Sequence, residues 1–196
     1  MKKQGKDSSA RPLTAGEVAL AKSVFGDSID YTTVTVSDKP YTLFQPKGVA
    51  TAPDGKLYMH GCYSPDYSDT NPYTRSLFIH EMTHVWQFQN KILNPISAAL
   101  DLNIKHKFNY AASYDFQLDE KKDLVEYGME EQAAMVQEYF LIKNQGLAGY
   151  TRHCKNTCED DEKLRLYEKV LEKFLKDPSY ARQAQFPKLS KKGPKL

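Results

Sequence analysis

Residues 80–84 read His80-Glu81-Met82-Thr83-His84, an HExxH pattern. On an α-helix, residues four apart differ by ~400°, so the two imidazoles project from one face, about 40° and one turn apart. In that register they can grip one metal ion. Glu81 lies ~60° to the side of His84 and reaches a metal-bound water without binding the metal itself. The chemistry is hydrolysis. A bound Zn2+ lowers the pKa of its water toward ~7, Glu81 takes the proton, and the hydroxide attacks a scissile carbonyl. Glu81 then returns the proton to the leaving amine. The bland alternative, two satisfied core histidines, would set three ionisable groups on a buried helix without use, which is costly.

A catalytic zinc needs a third protein ligand and an open fourth position. The extended HExxHxxGxxH spacing fails, because positions 87 and 90 are Gln87 and Asn90. The other common solution is a Glu from a later helix, for which Glu126, Glu130, Glu131 and Glu138 are candidates. Residues 128–144 read as that helix, with Met129, Ala133, Val136 and Phe140 packed and Gly146 as the stop. Glu130 lies ~60° from Ala133 and ~40° from Ala134, beside small residues that permit close helix approach. Glu131 faces solvent, and Glu138 falls far from the packed stripe. Glu126 is on the right side but precedes Gly128, where the helix begins or breaks. Glu130 is therefore the expected ligand and Glu126 the runner-up. Candidates for an oxyanion or substrate donor are His60, Tyr110, Tyr114 and Tyr127, among which the sequence does not choose. His60 ends a strand before the active helix, an edge that can pair with extended substrate. His153-Cys154-x3-Cys158 offers three further ligands in a loop, a weak metal pattern. The three cysteines read as free or buried thiols, with a Cys154–Cys158 bridge as the alternative.

The elements that must position these residues follow from periodicity. Thr14 and Glu17 form a capping-box pair for a helix through Phe25. Residues 32–37 alternate as a strand, 41–44 read as another, and Pro53-Asp54-Gly55 turns the chain into a strand over 56–60, so 41–60 looks hairpin-like. A polar, Tyr-rich loop covers 62–73. The HExxH helix runs about 73–90 and is apolar nearly all round, as a buried central helix must be. Helices are expected near 95–105 and 159–176, and 108–118 reads as irregular. The domain is expected over 13–180, between a flexible stretch at 1–12 and a polar basic tail at 181–196.

Composition bounds the class. The chain has 196 residues, 12% of them aromatic, which suits one globular domain. The charge balance is +2, without the basic stripe of a nucleic-acid binder. The start is basic but lacks the apolar run of a signal peptide, and no stretch reaches the ~18 apolar residues of a membrane span. The expected fold is α+β and zincin-like: a small mixed sheet, the HExxH helix, a second core helix and a helical C-terminal addition.

LFIHEMTHVWQFQ, followed about fifty residues later by GMEEQAAMVQEYF, resembles a family of bacterial Rhs/Vgr-related zinc metallopeptidases associated with type VI secretion. It is most similar to the metallopeptidase extension at the C-terminus of some VgrG spike proteins, over about residues 12–145. The resemblance implies a gluzincin-like site with His80, His84 and Glu130 as ligands and Glu81 as base. It implies an antibacterial effector that is cytoplasmic in the producer and acts in the target periplasm. A VgrG- or PAAR-type carrier and a cognate immunity protein go with that reading. The substrate would be a peptide or protein. Two alternatives are an amidase or peptidase acting on peptidoglycan stem peptides, and a non-catalytic zinc-binding interaction protein.

Overall fold

The computed structural model describes residues 10–92, 113–146 and 152–183. Three short strands, β1 (Arg11–Pro12), β2 (Thr35–Ser37) and β3 (Leu57–Tyr58), form a mixed sheet in the order β1-β2-β3. β1 runs antiparallel to β2, pairing Arg11 with Val36, and β2 runs parallel to β3, pairing Val36 with Leu57. The helices are α1 (Ala15–Phe25), α2 (Pro72–Gln89), α3 (Met129–Gln145), α4 (Asp160–Val170) and α5 (Glu172–Lys176). The architecture is mixed α+β. None of the described helices is long and apolar enough to cross a membrane.

Local chemistry sets the helix starts. Thr14 Oγ1 accepts from Glu17 N (3.0 Å) while the Glu17 carboxylate accepts from Thr14 N (2.9 Å), the capping box read from the sequence. At α2, Asn71 Oδ1 accepts from the Tyr73 and Thr74 amides (3.0 Å each), with Pro72 at the first helical position. Glu131 accepts from Gly128 N (2.7 Å) at the head of α3, and Gly146, at φ +79°, ends that helix.

The strands depart from expectation. Of 32–37, only Thr35–Ser37 pair. Tyr31–Thr33 instead form a 3-10 turn, because Asp30 Oδ1 accepts from the Thr32 amide (3.1 Å) and competes with the ladder. No strand forms over 41–44. Gln45 N donates to Thr42 O (3.1 Å), and the Gln45 side chain ties Tyr41 N, Val49 O and Tyr58 O together, so this segment is a turn between Pro40 and Pro46. The hairpin over 41–60 shrinks to one antiparallel bridge, Thr51 with Tyr58. The helix expected over 159–176 breaks at Leu171. The expected helix at 95–105, the start of the irregular stretch at 108–118 and the end of the tail lie outside the described residues.

The core surrounds α2. Phe78, Ile79, Met82, Val85 and Trp86 are fully buried. Trp86 and Phe25 meet the Phe174 ring edge-on at 5.1 and 5.9 Å, and the Trp86 indole donates to Pro178 O (2.9 Å). The C-terminal helices therefore complete the core. Glu17, fully buried, accepts two hydrogen bonds from Arg11 (2.8 Å each) and one from Tyr67 N (3.0 Å), joining β1, α1 and the loop before α2.

Candidate metal centre

α2 and α3 pack along one another and carry the candidate ligands between them. Ala133 and Ala134 are fully buried, and side chains this small let the helices close in. Glu130, in the first turn of α3, thereby faces α2. Its Oε2 lies 3.4 Å from His80 Nε2 and 3.2 Å from His84 Nε2. The three donor atoms all fall within 4.8 Å of one another.

Two glutamine amides fix the protons on Nδ1. His84 Nδ1 lies 2.8 Å from Gln87 Oε1, while Gln87 Nε2 donates to Met129 O (2.9 Å) and Gln132 Oε1 (3.0 Å). Gln132 Nε2 in turn donates to Tyr127 O (2.7 Å). His80 Nδ1 lies 2.9 Å from Gln137 Oε1, whose Nε2 donates to Ser76 Oγ (3.2 Å), and Ser76 donates to Tyr73 O (2.8 Å). Both glutamine oxygens must therefore accept, so each histidine carries a proton on Nδ1 and leaves Nε2 to face Glu130, where it serves as a lone-pair donor once a metal ion takes the place of any proton there.

Three such atoms facing one another need positive charge among them, supplied by protons on the imidazoles or by a metal ion. Glu130 Oε2 is buried and has no hydrogen-bond partner. Burial opposes charge on Glu130, yet the two imidazoles hold its carboxyl well below the usual carboxylate range. Burial likewise disfavours charge on His84, yet the facing Glu130 carboxylate pushes its pKa up to about 9. A metal ion can take the place of those protons, and two imidazole nitrogens with one carboxylate oxygen suit a divalent transition metal. His80, His84 and Glu130 would hold it.

Glu81 is 4% exposed, and its Oε2 is buried with no hydrogen-bond partner. Burial pushes its carboxyl up, against the pull of His84 and His80. Together with His80 it lines a cleft of about 340 Å³. Gly48, Val49, Ala50, Tyr114, Arg152 and His153 also line it.

No family model matches the chain. Over 146 residues, 72% of its length, it is 40% identical to the type VI secretion system spike protein VgrG2b of Pseudomonas aeruginosa, of which it spans 14%. Among solved structures, the effector domain of P. aeruginosa VgrG2b matches with a TM-score of 0.61 at 34% identity, covering 76% of this chain and 86% of that one. The chain belongs to the family of the VgrG2b effector domain.

Within this VgrG2b-type domain, the candidate residues separate. His80, Glu81, His84 and Glu130 come together. Tyr114 lines the cleft, its ring 5.6 Å from His80 and 5.4 Å from His153. Tyr127 does not line it. Its ring is 5% exposed, and its hydroxyl accepts from Asp119 N (2.9 Å), because the Tyr127 backbone caps the turn before α3. His60 does not line the cleft either. Its carbonyl accepts from Gly48 N (2.7 Å), and Gly48, Val49 and Ala50 line the cleft in its place. Glu126 is exposed and accepts from Asp123 N (2.7 Å). Tyr110 lies outside the described residues. Glu138 is buried, contrary to its expected solvated face, and accepts from Tyr167 Oη and His153 N (2.6 Å each). All three cysteines are unbridged, and His153, Cys154 and Cys158 form no metal cluster. Sequence reasoning missed Gln87 and Gln137 as histidine partners and Arg152 and His153 as cleft residues. Gln87 had a signal, since it sits three residues after His84 on the same helix.

Proposed function

We propose that this chain is a zinc-dependent metallopeptidase of zincin type, carried by a type VI secretion system as an antibacterial effector that acts in the target periplasm. The observation that carries the chemical part is the convergence of His80 Nε2, His84 Nε2 and Glu130 Oε2, with the unpartnered Glu81 Oε2 beside them. Three protein ligands and an adjoining cleft fit a catalytic zinc, whereas structural zinc sites close with four. When bound, zinc supplies a Lewis acid that makes water acidic near neutral pH and polarises a carbonyl. Glu81, raised in pKa by burial, takes the proton of the attacking water and returns it to the leaving amine. Tyr114 and His153 face the reacting carbonyl as donors to the developing oxyanion, and the 48–50 wall aligns the peptide. The delivery part rests on the names of the relatives, a type VI spike protein and its effector domain. It implies carriage on a VgrG-type spike and a cognate immunity protein in the producer.

The test combines two readouts. Purified protein should hold about one zinc per chain, and expression in the periplasm should be toxic. Glu81→Ala should keep the zinc and lose the toxicity. Toxicity that survives Glu81→Ala would remove the catalytic part of the reading.

A further inference from the structure

Between α1, α3 and the C-terminal helices lies a second cavity, of about 360 Å³. Its walls are Leu20 and Val24 of α1, Val136 and Phe140 of α3, and Leu171 and Phe174. These walls are apolar, and most of the polar groups that share the lining are already engaged. Ser23 donates to Leu20 O (2.7 Å) and Asn144 to Phe140 O (2.7 Å). Lys143 faces Glu168 at 3.7 Å and stands over the Tyr139 ring at 5.8 Å. Arg75, reaching in from α2, is the exception. Its Nε is buried without a hydrogen-bond partner, and among the described residues no carboxylate pairs with its guanidinium. An arginine always carries its charge and offers five donors, so a half-buried one against apolar walls lacks its counter-ion.

We propose that this cavity is a binding site for a medium-chain aliphatic carboxylate. The carboxylate pairs with Arg75, which presents a planar donor fork to it, and the chain lies between Leu20, Val24, Val136 and Phe140. At the ~30 Å³ that a water-sized group occupies, the cavity holds about a dozen non-hydrogen atoms, the size of decanoate. None of the residues involved belongs to the metal centre, so the site stands apart from the peptidase reading.

Titration calorimetry of the whole chain with decanoate, and with 1-decanol as its uncharged counterpart, tests this. Decanoate should bind saturably at one site, and decanol at least ~10-fold more weakly. Arg75→Gln should weaken decanoate by a similar factor, and Val24→Trp, which fills the cavity, should remove binding of both. Glu81→Gln should bind decanoate like the parent, whatever becomes of hydrolysis. Circular dichroism identifies any variant that fails to fold, and the other then carries the test. The proposal is overturned by absence of saturable binding, by equal affinity for decanol, or by a folded Arg75→Gln that binds like the parent. A concentration-dependent dimer that buries Leu20 and Leu175 would show instead that a second copy covers this face.

Discussion

Two glutamines do at this centre what a carboxylate or a backbone carbonyl often does at others. Each holds a histidine Nδ1–H and aims Nε2 at Glu130, and each is itself held, Gln87 by Met129 and Gln132, Gln137 by Ser76. Gln87→Ala and Gln137→Ala should therefore each weaken zinc affinity by ~10–100-fold while leaving the fold intact. Competition with a chromophoric chelator measures it, and parent-like affinity in both would show that the histidines orient themselves. The shared facing of His80 and His84 was legible in the sequence because its geometry is local to one helix. Glu130 was legible because the small residues Ala133 and Ala134 marked the face that approaches its neighbour. His153 and Arg152 were not, because what brings them to the cleft is a remote bridge between Phe116 and Cys154 together with the His153 amide bond to Glu138.

At the scale of elements, helices were read well and strands poorly, for one physical reason. A helix announces itself through caps and through a stripe repeated over several turns, as at Thr14–Glu17, Asn71–Pro72 and Gly146. Strands of two or three residues have no room for alternation, and Asp30 and Gln45 redirect the backbone with side-chain hydrogen bonds instead. The C-terminal helices looked like an addition because the resemblance stopped near residue 145. Yet Tyr167, Val170, Leu171 and Phe174 are each 1% exposed or less, and Phe174 contacts both Trp86 and Phe25. Phe174→Ala should destabilise the protein by ~3–5 kcal/mol, the cost of opening a cavity in a close-packed core. Urea unfolding followed by Trp86 fluorescence measures it. A loss below ~1 kcal/mol would mean that α4 and α5 are dispensable.

For the molecule as a whole, Glu138 joins α3 to the 153–154 segment and to α4. Burial raises its carboxyl above its ordinary value of 4.5, against the opposing pull of Tyr167 and the His153 amide. The folded state therefore holds this proton more tightly than the unfolded chain does. Its stabilising contribution is full below the unfolded value and is lost as pH rises through the folded one. Stability of the parent relative to Glu138→Gln should accordingly fall as pH rises above about 4.5. Urea midpoints across that range check it, and a pH-independent difference would show that Glu138 titrates as in an unfolded chain. Tethered in this way, the 152–153 segment lines the cleft together with Gly48–Ala50, and the fold as a unit presents Glu81 to whatever enters. The most direct measurement is mass-spectrometric mapping of cleavage in a peptide library, with parent and Glu81→Gln loaded with equal zinc. The expected result is new amide-cleavage products from the parent and a ~100–10,000-fold lower rate from Glu81→Gln. Equal cutting by the two proteins, or a zinc-loaded parent that cuts no amide, would contradict it.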